Sequence, residues 1–205
     1  LNERRALITG GSRGLGRAMA ETFARAGADV VIVGRDEQAL GDATSALEQI
    51  RPSGQFLGIS ADIANPGEIA ELHHKAESFF GSVEILVNNA GTSNAKPFLE
   101  VTDADWLEDF NLKFFSAAKL CQLCIPGMQR AGWGRIINTL NSAAKAPGAK
   151  TCPTSAARAA GMAMTKALAT EFASDGILVN ALNTGFLVSH QWRTRWQSES
   201  TCKTF

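Results

Sequence analysis

Short runs that are apolar on both faces alternate along this chain with longer segments that are apolar on one face only. The first kind predicts buried strands and the second predicts amphipathic helices. Strands are expected at Arg5 to Thr9, Ala28 to Gly34, Gln55 to Ser60, Val83 to Gly91, Gly134 to Leu140 and Ile177 to Leu182. Helices are expected over Leu15 to Gly27, Asp36 to Ile50, Pro66 to Phe80 (with Pro66 in the first turn), Asp103 to Arg130 in two pieces, and Thr154 to Ala173. Strands without a polar face need cover on both sides. The alternation therefore predicts an α/β chain: a Rossmann-type doubly wound parallel sheet in three α/β/α layers. No repeat or linker divides it, so residues 1–205 read as a single dinucleotide-binding domain. Ala144 to Pro153 reads as a loop at the carboxyl end of a strand, the edge where such sheets bind ligands.

Composition narrows the classes of function. The chain is 45% hydrophobic, enough for a sizeable core, and its 20 basic residues balance its 20 acidic ones. No bulk field draws it to nucleic acid or to an anionic membrane, and no apolar run is long enough to span a bilayer. The opening LNERRALITG has no secretory pattern and no initiator Met, so a cytoplasmic chain with a few leading residues missing is expected. Cys121 and Cys124 form a CxxC on a helical segment with no second ligand pair. They read as core thiols, and no metal site is expected. His73 and His74 sit mid-helix and read as solvated.

TGGSRGLG, Thr9 to Gly16, joins the first strand to the first helix. Gly10, Gly14 and Gly16 permit a tight turn and close backbone approach to a pyrophosphate, with the helix N-terminus behind it supplying N–H groups. An acid at the end of the second strand would favour the free ribose of NAD. This chain has Gly34 and Arg35 there, and Arg13 in the turn. Two guanidinium groups suit a 2′-phosphate, so NADP is expected over NAD. Asp36 reads as a helix N-terminal acid.

These residues resemble the short-chain dehydrogenase/reductase family over nearly the whole chain. TGGSRGLG is similar to its cofactor motif, in which Ser12 and Leu15 would join the three glycines. Asp62 and Ile63 are similar to its adenine-contacting pair. In NNAG (Asn88 to Gly91), Asn88, Ala90 and Gly91 would line the cofactor, and Asn111 is similar to the family's helix Asn. The resemblance implies an NAD(P)-dependent oxidoreductase acting on a small carbonyl or alcohol, assembled as a homodimer or homotetramer through its long outer helices.

The catalytic positions depart from that pattern. The family's Tyr and Lys fall at Thr154 and Arg158, and its Ser falls at Asn141, with Ser142 adjacent. Its Pro-Gly turn reads Thr184-Gly185. The family's closing helix and strand have no counterpart in this sequence. The chain has no Tyr at all, so no phenol elsewhere replaces the missing acid. A threonine hydroxyl is too weak an acid, and arginine does not release a proton near neutral pH. Losing a general acid costs roughly 10²- to 10⁴-fold. Lys145 and Lys150 read first as solvated loop lysines and His190 as structural, with proton donation the alternative for each; Asn141 and Ser142 would polarise a carbonyl. Thr154→Tyr combined with Arg158→Lys is expected to raise reductase activity if the pocket is otherwise unchanged. The alternative is a catalytically inactive NADP-binding sensor or assembly protein.

Overall fold

The structure, a computed structural model, describes residues 1–185. Strands β1 (Arg5–Thr9), β2 (Asp29–Gly34) and β3 (Phe56–Ser60) alternate with helices α1 (Gly14–Arg25), α2 (Glu37–Ile50) and α3 (Pro66–Phe80). The chain then crosses to β4 (Ile85–Asn88). The short β5 (Ala95–Lys96), α4 (Asp103–Phe110) and α5 (Ser116–Ala131) follow, with a π-helical turn, Asn111–Phe115, joining the two helices. The remaining elements are β6 (Gly134–Asn141), the short β7 (Cys152–Pro153), α6 (Thr154–Glu171) and β8 (Ile177–Thr184).

Six parallel strands form one sheet in the order β3-β2-β1-β4-β6-β8, while β5 and β7 pair antiparallel beside it. The order reverses direction between β1 and β4. A crevice opens at such a point, at the carboxyl ends of the strands. Along β1 alternate residues face opposite sides: Ala6 and Ile8 pack with Ala20, Ala24, Leu40 and Leu47, whereas Leu7 packs with Ile69, Leu72, Leu120 and Met128. The two cores on the two faces are the three layers expected from the pattern.

Local chemistry sets the ends of the helices. The Asp36 carboxylate accepts from the Ala39 N–H at 3.0 Å and caps α2. Asn65 caps α3, with Pro66 in the first turn, where a missing N–H costs nothing. Thr102 and Asp105 form a reciprocal capping box on α4. The predicted break inside Asp103 to Arg130 is the π-helical turn, which inserts one extra residue without ending the helix.

Cys121 and Cys124 are buried and free, with burial holding both thiols protonated and Cys121 pushed up to about 12. His73 departs from expectation. It lies buried on the α3 stripe with Ile69, Leu72 and Ala76, while His74 is exposed. Among the described residues no helix is long and apolar enough to cross a membrane, and no His/Cys/Asp/Glu group is placed to hold a metal.

Candidate active site

The glycine turn runs from the end of β1 into α1. Gly10 and Gly14 adopt φ of +65° and +55°, and a Cβ added at Gly14 would meet nothing within 4 Å. That open side is where a phosphate can approach the backbone. Gly16 is fixed for the opposite reason: a Cβ there would lie 2.1 Å from the Gly10 carbonyl oxygen. Asn89 locks the turn, its side-chain amide donating to the Thr9 carbonyl at 3.0 Å. The Thr9 hydroxyl accepts from the Asn89 and Ala90 N–H groups, so the ends of β1 and β4 are tied together under the turn. Within NNAG, Asn89 therefore braces the cradle, and Asn88 and Ala90 line a cleft.

At the other end of the crevice the two predicted arginines are exposed, and each is paired. Arg13 hydrogen-bonds to Asp36, and Arg35 lies 3.9 Å from Asp62. Asp36 thus caps a helix and neutralises an arginine at once. The Ala39 N–H and Arg13 hold its carboxyl below the usual range. Asp62 accepts from the Ala64 N–H at 3.0 Å and Ile63 is buried beside it. Ser12 packs near Gly34, where a Cβ would come within 3.0 Å of its hydroxyl.

A narrow cleft of about 10 Å³, room for roughly one water, lies between β4, β6, the π-helical turn and α6. It is lined by Asn88, Ala90, Leu112, Lys113, Thr139 and Arg158, among others. The Asn88 amide donates to Asn138 at 2.8 Å, and Asn138 donates to Thr165 at 2.8 Å, which fixes the floor. Buried Oδ1 of Asn88, Oγ1 of Thr139 and Oδ1 of Asn141 have no hydrogen-bond partner among the described residues. Buried polar atoms are normally satisfied, so these three suit the hydroxyls and amide of a nucleoside. With the open glycine turn and the two surface arginines, the residues present fit a dinucleotide.

The corner of the cleft that holds Thr154 and Arg158 centres on a residue that the sequence did not single out. Lys113, in the π-helical turn, is buried, and its ammonium is hydrogen-bonded to the buried Asp109. Burial pulls the Lys113 ammonium below its ordinary pKa. Asp109 opposes this and the charge of Arg158 adds to it. Thr154 starts α6 as a buried residue whose hydroxyl accepts from the Asn94 N–H at 3.1 Å and donates to Asp109 at 3.3 Å. Arg158, one turn on, donates from Nη1 to the Thr139 carbonyl at 3.2 Å, while its buried Nε has no partner among the described residues. Lys113 and Arg158 converge on Gly91: a Cβ there would lie 3.3 Å from Arg158 Nη2 and 3.8 Å from Lys113 Cε.

Residues 4–200 match the family described as short chain dehydrogenase. This chain belongs to the short-chain dehydrogenase family. It is 32% identical over 206 residues to a D-beta-hydroxybutyrate dehydrogenase of Cupriavidus necator, across 97% of this chain and 78% of that one. The NADPH and L-sorbose complex of L-sorbose reductase from Gluconobacter frateurii superposes with a TM-score of 0.92 at 32% identity, covering 98% of this chain and 77% of the other. An NADPH-bound short-chain oxidoreductase from Pseudomonas aeruginosa, described as containing an atypical catalytic center, superposes at 0.90 with 32% identity, covering 98% and 79%.

In this short-chain dehydrogenase the other predicted residues sit as follows. Asn111 opens the π-helical turn, and it is Leu112 and Lys113 of that turn that line the cleft. Asn141 ends β6, and Ser142 next to it is exposed. Lys145 and Lys150 are both exposed on the loop, as solvated side chains would be. Gly185 is exposed at the end of the described residues, and His190 lies outside them. The guanidinium groups of Arg4 and Arg135 lie over the Trp133 ring, at 3.9 and 4.3 Å from its centroid. One signal for Lys113 was present in the sequence: an Asp and a Lys four apart, Asp109 and Lys113, in an otherwise aromatic stretch.

Proposed function

We propose that this short-chain dehydrogenase interconverts a carbonyl and an alcohol, prefers NADP, and uses Lys113 as its proton donor in place of a phenol. The observation that carries this reading is the buried Lys113 ammonium at the cleft, beside Arg158. When bound, NADP(H) supplies or accepts the hydride. The glycine turn and α1 N-terminus would hold the pyrophosphate, with Ser12 and Leu15 in the turn. Asp62 and Ile63 would border the adenine, and Arg13 and Arg35 would take the 2′-phosphate. Asn88, Ala90, Gly91 and Gly185 would border the nicotinamide half.

In reduction Lys113 Nζ gives a proton to the substrate oxygen and is left as a neutral amine; in oxidation it takes the proton back. Burial and the nearby Arg158 charge both favour the neutral amine, which brings an ordinarily strong base towards working pH. Asp109 keeps the amine in place. Thr154, bound to Asp109 and to the Asn94 backbone, is a positioning residue that ties α6 to the segment after β4. Asn141 and Ser142 polarise the carbonyl, and Asn111 orders the start of the turn that carries Lys113. The relatives named as dehydrogenases and reductases, two of them structures with NADPH bound, support this class of reaction.

The test is a titration with NADPH and NADH, followed by energy transfer from Trp to nicotinamide, for the wild type and for Arg35→Asp. Tighter NADPH binding that shifts towards NADH in the variant is expected; equal binding by both proteins would remove Arg35 from the site. Lys113→Met is expected to keep NADPH affinity and to lose about 10²- to 10⁴-fold in kcat. Unchanged turnover would put the donor elsewhere. NADPH binding with no turnover of any ketone would favour the sensor reading.

We also propose a homodimer or homotetramer. Leu107 of α4 and Phe115 of the π-helical turn are 62% and 50% exposed, an apolar pair that a partner helix would cover. A monomer at micromolar concentration in sedimentation velocity would overturn this.

A further inference from the structure

The charges at the catalytic corner do not balance. Lys113 and Arg158 stand beside Gly91 with Asp109 as the buried carboxylate facing them, while Glu108, whose charge also acts on Lys113, is exposed to solvent. The next charged pair, Lys96 with Asp105 at 2.5 Å, is neutral as a unit, and Asp105 also caps α4. Among its buried and half-buried groups the corner therefore sets two cations against one carboxylate, where charge is normally matched.

Hydrogen bonding leaves open groups of both kinds: the buried Oδ2 of Asp109 has no partner among the described residues, and Arg158 holds spare donors. Arg158 has five N–H donors; Nη1 reaches the Thr139 carbonyl and the buried Nε reaches nothing among the described residues. Thr154 cannot serve as a spare acceptor, because its hydroxyl is already engaged with the Asn94 N–H and with Asp109. A nicotinamide ribose would offer hydroxyls to these donors but no charge, so the excess would persist with the coenzyme in place.

We infer that the substrate of this enzyme carries a carboxylate next to the reacting carbon or one carbon removed, and that Arg158 binds it while Lys113 faces the reacting oxygen. A planar guanidinium matches a carboxylate in shape, with two parallel N–H donors against two oxygens. Gly91 fits this arrangement: a side chain there would crowd Arg158 Nη2 at 3.3 Å and the Lys113 methylenes at 3.8 Å. The inference rests on the oxidoreductase reading above and deepens it from a carbonyl compound to an oxo acid or hydroxy acid.

The experiment compares NADPH oxidation with 2-oxobutyrate, acetoacetate and butanone, using the full chain. Each acid is butanone with one terminal methyl replaced by a carboxylate, so size is nearly constant and charge is the variable. At least one acid is expected to exceed butanone about 10- to 100-fold in kcat/KM, the range of one charge-assisted contact. Free acetate should compete with the acid. Arg158→Met should collapse the acid-to-butanone ratio, and Arg158→Lys should restore part of it. Butanone turned over as well as both acids would overturn the inference and leave the oxidoreductase reading intact. If no ketone is turned over, thermal shifts of the NADPH-saturated protein decide. Stabilisation by an acid that exceeds that by acetate, and is lost in Arg158→Met, supports the site. Equal shifts with acetate, or none, overturn it. Absence of NADPH binding in a separate titration would instead remove the reading on which the inference rests.

Discussion

Asp109→Asn isolates the buried ion pair at the corner of the cleft. The change is nearly isosteric, so packing is preserved and the charge alone is removed. The Asp109 and Lys113 side chains are 1% and 3% exposed. Lys113 would then be a buried ammonium without a counterion, beside the guanidinium of Arg158. Removing one partner of a buried pair costs about 3–5 kcal/mol. At about 2–3 kcal/mol per molar urea, the unfolding midpoint should fall by about 1–2.5 M. Replacing the second partner as well, in Asp109→Asn with Lys113→Met, removes the stranded charge and should recover most of the loss. The pH dependence has a definite sign. Lys113 in the folded protein titrates below its unfolded value, so the unfolded chain binds more protons in the window between the two. Its unfavourable contribution is fully present below the folded value and is relieved as pH rises towards 10.5. In Asp109→Asn the folded value drops further, so the destabilisation should shrink towards alkaline pH more steeply than in wild type. A loss under about 1 kcal/mol in urea titrations, or a double variant no more stable than the single one, would refute this account of the corner.

Gly16→Ala should leave the fold in place by circular dichroism yet weaken NADPH binding by at least about tenfold, because its Cβ would displace the Gly10 carbonyl and with it the cradle. His73 is buried with its Nε2 unpartnered among the described residues, and burial lowers its pKa below 6.5. Stability should therefore decline as pH falls through 6.5, and His73→Leu should flatten that slope in urea titrations from about pH 5 to 8. Thr154→Tyr with Arg158→Lys should give no gain in reductase activity on its own. Thr154 is buried against Asp109, so a phenol has neither the room nor the charge environment it needs, and a clear gain in turnover would show that the corner can be rebuilt by those two changes alone.

What the sequence by itself determined here is what depends on near neighbours. Strands with two apolar faces, helices with one, the glycine turn between β1 and α1, and Pro66 at the start of α3 all follow from local backbone preference and periodicity. The burial of His73 belongs to this class too. The spacing Ile69, Leu72, His73, Ala76 is the helical stripe itself, and the histidine's polarity masked the position that spacing dictates. Tertiary structure decided the rest. Arg13 meets Asp36 because β1 and β2 lie side by side. Lys113 reaches the cleft because a π-helical turn changes the phase of the helix that carries it. It meets Arg158 because β4 and β6 are adjacent in the sheet, which brings the segments that follow them to one corner. No window of sequence contains that corner. Its side chains come from separate helices, and only their packing brings Lys113 and Arg158 to the same glycine.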